Sequence, residues 1–108
     1  MKEDLIFIKH IIESIRYIEI FSKGLSKKEF KENKLKQNAI IRELEIMGEA
    51  VKNLSKEFRD KHNHIEWGLI AGLRDRLIHH YFGVELDRIW IVLEKDLPKI
   101  KEEIKKFL

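Results

Sequence analysis

The stretch GLRDRLIHHYFGVE, residues 72–85, combines the apolar spacing of a buried helix with strongly polar side chains. Each residue turns an α-helix by about 100°, so the positions can be placed on a helical projection. Arg74 falls at the centre of the apolar stripe, between Ile70 and Ile78. Tyr81 follows seven residues later, almost in line with Arg74. An unpaired buried charge costs on the order of several kcal/mol, so this arginine is not an ordinary core residue.

Three interpretations of Arg74 stay open at this point. The guanidinium could pair inside the bundle with a carboxylate, and Glu43 is a candidate because it also falls on the apolar side of its helix. Alternatively, the stem could be buried while the charged head reaches solvent. The third interpretation is functional: the stripe faces a second subunit or a ligand phosphate, for which a planar fork of donors is well suited.

His79 is the histidine with an oriented neighbour. Asp75 lies four residues before it, one helical turn away, so the carboxylate and the imidazole can hydrogen-bond. Such a carboxylate fixes the tautomer of the ring and favours its protonated form, which suits a general acid or base. The alternative is a surface histidine with a chance acidic neighbour.

Metal chemistry has little support in the sequence. The chain has no cysteine, which excludes disulfides and thiolate zinc sites. The Glu-x-x-His pattern of di-iron bundles is also absent. His62 and His64 form a His-x-His pair, which leaves metal or small-molecule binding there as a minor alternative.

The remainder of the sequence is typical of long helices, since it has five glycines and one proline. The first helix is expected from about Glu3 to Ser22, with Gly24 ending it. The second long helix should run from about Lys34 to Leu54, with a possible extension through Phe58. The stripes expected to be buried are Leu5, Ile8, Ile12, Ile15 and Ile18 or Glu19 in the first helix and Ile40, Leu44, Met47, Val51 and Leu54 in the second.

Capping signals predict where the other helices begin. A capping box that starts at Ser26 predicts a short helix ending near Glu32. A similar signal at Asn63 predicts the start of a third long helix, which should reach Tyr81 or Phe82.

The last part of the chain should form a fourth helix beginning near Glu85. Pro98 cannot donate a backbone hydrogen bond, so a kink or break is expected there, with Asp96 capping a last short helix. The predicted fold is all-α: an antiparallel bundle of four main helices, up to five or six with the short ones, in one domain over residues 1–108.

Charge and hydropathy predict the environment of the protein. The longest apolar run covers residues 89–93, far short of a membrane span, and no signal peptide is evident, so we expect a cytoplasmic protein with no membrane association. The net charge is only +3, but six lysines crowd residues 23–36 against Glu29 and Glu32. This cluster is either a solvated face or a phosphate-facing patch.

The longer segment GLRDRLIHHYFGVELDRIW resembles the signature of the HEPN superfamily, in its HepT-like toxin branch. The motif is arginine, four residues, histidine, one residue and tyrosine, which here are Arg74, His79 and Tyr81. The resemblance extends to IRELEIMGEAVKNLS in the second long helix, to Trp67 before the motif, and to DLPKIK near the C-terminus.

This resemblance implies a homodimeric endoribonuclease that uses no metal or other cofactor. Two copies of the motif would meet at a cleft, where Arg74 neutralises the scissile phosphate. His79 would be the general base or acid in attack by the ribose 2′-hydroxyl, giving a 2′,3′-cyclic phosphate and a 5′-hydroxyl. The implied substrate is RNA, with transfer RNA as the expected target.

The resemblance also implies a regulatory role for Tyr81. In the related type VII toxin–antitoxin systems, a minimal nucleotidyltransferase antitoxin attaches AMP to this tyrosine, which would place bulk and negative charge in the RNA cleft.

One position departs from the family pattern. Asp75 stands where asparagine usually follows the motif arginine, and its charge beside a phosphate must be offset, for example by Arg76. The competing hypothesis is therefore a non-catalytic helical dimer that binds a nucleotidyltransferase partner or RNA.

Overall fold

Helices make up almost all of the described chain. The computed structural model describes residues 2–78 and 86–108, with the side chains of all of these except Lys2 and residues 74–78. The elements are α1 (Lys2–Ser22), α2 (Lys27–Glu32), α3 (Lys34–Asn53), α4 (Lys56–Lys61), α5 (Trp67–Ile78), α6 (Leu86–Ile91), a π-helical turn (Val92–Asp96), α7 (Leu97–Ile104) and a 3-10 turn (Lys105–Phe107). No strand occurs in these two ranges, so the predicted all-α class is confirmed.

Three long helices form the centre of the bundle. Helix α3 packs against both α1 and α5, and α7 packs against α1. Asp4, near the start of α1, bonds to Ser55, just beyond the end of α3, so these two helices run antiparallel. The predicted stripe of the second long helix is confirmed, since all five of its members are buried: Ile40, Leu44, Met47, Val51 and Leu54.

The buried face of α1 differs from the prediction. Leu5 is 40% exposed, and Ile11, which the predicted stripe left out, is fully buried. The cause is Asp4, which is only 3% exposed and lies one turn before the buried Ile8. Its two carboxylate oxygens accept hydrogen bonds from Ser55, so at the start of α1 the buried face contains a hydrogen-bonded Asp4 in place of the predicted Leu5.

The turns around α2 follow their sequence signals. Gly24 has φ +71°, a conformation that glycine adopts without strain, and α1 ends just before it. The Ser26 hydroxyl accepts from the Glu29 N–H at 3.1 Å, and the Glu29 carboxylate accepts from the Ser26 N–H at 3.0 Å. These bonds lower the pKa of Glu29, with the Ser26 backbone N–H as the main cause. The predicted capping box is therefore confirmed.

The prediction for the start of the third long helix was wrong. Residues beyond α3 form the short helix α4 rather than an extension through Phe58, and α5 begins at Trp67 instead of near Asn63. The Trp67 indole donates to the His62 carbonyl at 3.1 Å, and Ile65 is buried beneath the turn. Burying these two apolar side chains outweighs the local capping signal. The predicted end of this helix at Tyr81 or Phe82 lies outside the described residues.

The chain does not break at Pro98. It widens into the π-helical turn, in which the Leu97 N–H bonds to the Val92 carbonyl five residues earlier. Proline lacks an N–H and its ring crowds the preceding turn, so a wider turn accommodates it without ending the helix. Asp96 has helical backbone angles and makes no side-chain capping bond, so its predicted capping role was wrong.

Candidate functional site

Helix α5 carries the first part of the arginine–histidine–tyrosine motif. The backbone of Arg74, Asp75 and Arg76 lies within it, as the helical projection predicted. Their side chains are not described, and His79 and Tyr81 lie outside the described residues. The roles assigned to all five residues therefore stay predictions.

The start of the motif is fixed by the apolar side chains that precede it. Trp67, Ile70 and Leu73 are 6%, 1% and 5% exposed and hold α5 in the core. Arg74 comes four residues after Ile70 and seven after Trp67, so its position lies on the same side of the helix as these buried side chains. Glu43, the predicted internal partner, is half-buried on the neighbouring helix α3, and its pairing with Arg74 stays a prediction.

A largely apolar cavity adjoins the start of the motif. It has a volume of about 190 Å³ and lies between α3, α5, α6 and the π-helical turn. The residues that line it are Leu44, Leu73, Arg88, Ile89, Ile91, Val92 and Asp96. Leu73 directly precedes Arg74 in the chain. Apolar walls with two charged residues suit a flat ring or an aliphatic side chain better than a phosphate.

Beyond the motif, α6 packs against α2. The rings of Trp90 and Phe30 are 5.6 Å apart, and Phe30 is fully buried. Next to this contact, the ammonium groups of Lys27 and Lys31 lie 3.2 Å and 3.1 Å from the same carboxylate oxygen of Asp87. The hydrogen bond from Lys31 is the main cause of a lowered pKa of Asp87, and the hydrogen bond from Lys27 is the second cause.

Sequence reasoning found these lysines but not their partner. The spacing of Lys27 and Lys31, four residues apart, places both on one face of a helix. Nothing in the local sequence shows that Asp87, which is distant in the chain, comes to that face. The single signal was the density of lysines itself.

The His-x-His pair lies in an aromatic cluster. The imidazole of His62 packs against the rings of Phe58 at 4.7 Å and Phe107 at 4.6 Å, and the His64 ring lies edge-on to it at 6.2 Å. Within residues 2–78 and 86–108, no group of three or more histidine, cysteine, aspartate or glutamate residues could hold a metal ion. Nor is any helix in these ranges long and apolar enough to cross a membrane.

The sequence is similar to one family of ribonucleases over most of its length. The sequence model of the family described as "Ribonuclease HepT-like" matches residues 11–107. A "Putative RNase" of Caldanaerobacter subterraneus subsp. tengcongensis is 42% identical over 108 residues, which are 100% of this chain and 96% of the relative. A "Probable ribonuclease HepT" of Thermococcus cleftensis is 39% identical over 100 residues, 93% of this chain and 91% of the relative.

A longer relative comes from Methanocaldococcus jannaschii and is named "Gamma-glutamylcyclotransferase and putative RNase". It is 50% identical over 109 residues, which are 100% of this chain and 49% of the relative. The chain thus spans about half the length of this relative. No solved structure gives a significant match.

Proposed function

This chain belongs to the ribonuclease HepT-like family, and from that premise we propose that it is a metal-independent endoribonuclease acting at a homodimer cleft. Its substrate would be RNA, with transfer RNA as the expected target. The observation that carries the proposal is the match of residues 11–107 to the family, which includes Arg74, His79 and Tyr81.

The proposed reaction is attack by a ribose 2′-hydroxyl on the adjacent phosphorus. His79 accepts the 2′-hydroxyl proton as the bond from O2′ to phosphorus forms. Arg74 stabilises the negative charge that builds on the phosphate oxygens. The bond from phosphorus to O5′ then breaks, and the leaving oxygen takes a proton from an imidazolium, which a second copy of His79 can supply. The products are a 2′,3′-cyclic phosphate and a 5′-hydroxyl.

The packing of α5 supports a preorganised site. Trp67, Ile70 and Leu73 are nearly completely buried, which fixes the helix that carries Arg74. A charged group held on a rigid helix loses little freedom when substrate binds, and this positioning is a large part of catalysis that uses no cofactor.

The proposal includes regulation through Tyr81. A minimal nucleotidyltransferase antitoxin would attach AMP to its hydroxyl, as in type VII toxin–antitoxin systems. The added phosphate carries negative charge and the nucleoside adds bulk, so both would oppose the entry of an RNA phosphate into the cleft.

A second candidate is a non-catalytic dimer that binds a nucleotidyltransferase partner or RNA. It is favoured by Asp75, because a carboxylate next to the phosphate-binding arginine opposes the charge that the reaction develops. Under this hypothesis the fold is kept for binding while turnover is lost.

Cleavage assays in EDTA test the choice between these candidates. Wild-type protein should cut RNA and leave 2′,3′-cyclic phosphate ends, while Arg74→Ala and His79→Ala should abolish cutting. Arg42→Ala and His10→Ala are matched controls, since both residues are exposed and lie outside the motif, and they should cut normally. Full activity in both motif variants would refute the site, and a wild-type protein without turnover would favour the binding module.

A further inference from the structure

The positive charge of this protein is concentrated in one short segment. Residues 23–36 contain six lysines and two glutamates, a net charge of +4, whereas the whole chain has +3. The remainder therefore carries a net charge of −1. This segment is therefore a concentrated basic region with most of its residues exposed, as expected of a surface that attracts polyanions.

Three of these lysines, Lys27, Lys28 and Lys31, form a common surface on α2, which we call the α2 lysine face. Together with Glu32 they line a shallow, open depression. Glu29 also lies on α2, where its carboxylate accepts a hydrogen bond from the Ser26 backbone N–H in the capping box.

The α2 lysine face already holds one anionic oxygen. Lys27 and Lys31 lie 3.2 Å and 3.1 Å from Oδ1 of Asp87, somewhat longer than the roughly 2.7–2.9 Å of a strong charge-assisted hydrogen bond. A phosphate oxygen has the same charge and accepts the same bonds. All three side chains are about half exposed, so solvent screens the ion pairs and a competing anion can reach them.

The support of α2 is rigid even though the helix has only six residues. Phe30 is buried against Trp90 of α6. At the other end, the Gln37 side-chain amide donates to the carbonyls of Phe30 and Lys31 at 2.9 Å and 3.1 Å. The lysines therefore project from a helix that packs against α6, the first described helix after the motif.

We propose that the α2 lysine face binds the backbone of the RNA substrate, and that Asp87 is an internal counter-ion which an RNA phosphate displaces. This inference rests on the proposed ribonuclease function and extends the substrate surface beyond the motif. Lysine acts as a point charge toward phosphate, so the face strengthens binding without selecting a base sequence.

The test separates binding from cleavage. The probe is a fully 2′-O-methylated single-stranded oligonucleotide, which lacks the attacking hydroxyl and so cannot be cut. Its affinity is measured at several salt concentrations for the wild type, Lys28→Ala and the double variant Lys27→Ala/Lys31→Ala. Lys101→Ala is the matched control, because Lys101 forms a similar exposed pair with Glu19.

The double variant should bind more weakly at every salt concentration. The slope of log affinity against log salt should fall by about 0.7, since Lys27 and Lys31 hold the same phosphate and each phosphate contact on a single strand contributes roughly 0.7. Lys28→Ala should also weaken binding, with no change in melting temperature. Lys101→Ala should affect affinity much less than the double variant. Lysine variants that bind like the wild type would overturn the inference.

Neutralising the Asp87 carboxylate should change the affinity for the oligonucleotide in the opposite direction. Asp87→Asn should raise affinity, whereas Glu19→Gln, which changes the net charge equally, should raise it less. If Asp87→Asn instead weakens binding, Asp87 only fastens α6 to α2 and the counter-ion role is refuted. Lysine-dependent binding by a protein that cuts no RNA would support the α2 lysine face while overturning the proposed chemistry.

Discussion

Asp4 and Ser55 join the start of α1 to the start of α4 across 51 positions of sequence. The Ser55 N–H donates to one carboxylate oxygen at 2.7 Å, and the Ser55 hydroxyl donates to the other at 2.9 Å. The same hydroxyl accepts from the Phe58 N–H at 3.1 Å, so it also caps α4. One buried carboxylate therefore holds the start of α1 against the turn that follows α3.

Asp4→Ala should destabilise the protein strongly. It removes two charge-assisted bonds and leaves the Ser55 N–H without its partner, and such losses cost about 3 kcal/mol in buried settings. Urea unfolding measures the change in the free energy of unfolding. Glu3→Ala is the control, because Glu3 is exposed next to Asp4 and its removal should change stability by no more than about 0.5 kcal/mol. Equal effects of the two substitutions would mean that the Asp4–Ser55 contact contributes nothing.

Phe30→Ala should detach α2 from the bundle. Truncating a fully buried phenylalanine costs about 3–5 kcal/mol, and here it also removes the ring that packs on Trp90. We expect the urea midpoint of this variant to fall strongly and its tryptophan fluorescence to shift. Leu35→Ala removes another apolar side chain nearby, but one that is 78% exposed, so it should leave both nearly unchanged. A Phe30→Ala protein with wild-type fluorescence would show that α2 does not depend on this contact.

The capping box should make stability depend on pH through Glu29. Its pKa is lower in the folded protein than in the unfolded chain, so its contribution is present above the unfolded value and is lost as pH falls through the folded one. Glutamine at this position can still accept from the Ser26 N–H but does not titrate. The melting temperature of Glu29→Gln should therefore fall less between neutral and acidic pH than that of the wild type. Identical pH profiles of the two proteins would contradict the prediction.

Local sequence signals predicted the features that depend on neighbouring residues. The buried stripe of α3 follows helical spacing, and the capping box needs only Ser26 and Glu29. The features that the sequence did not predict depend on distant partners. Asp4 can be buried because Ser55 donates to it, and Trp67 at the start of α5 packs against Phe107, which lies 40 residues later. The motif's backbone followed from periodicity, whereas no local pattern could pair Lys27 with Asp87.

Asp75→Asn tests the one position where the motif departs from its family. On the proposed mechanism, the carboxylate opposes the charge that develops on the phosphate near Arg74, so the amide should raise kcat/KM by a few-fold. If Asp75 instead orients His79 and stabilises its protonated form, the same change should lower kcat and move the pH–rate profile. Asp60→Asn is the control, since Asp60 pairs with Lys56 on α4, outside the motif, and it should leave cleavage unchanged. A higher kcat/KM of Asp75→Asn with an unchanged pH–rate profile would show that the carboxylate opposes the charge of the reaction, whereas a lower kcat with a shifted profile would show that it acts through His79.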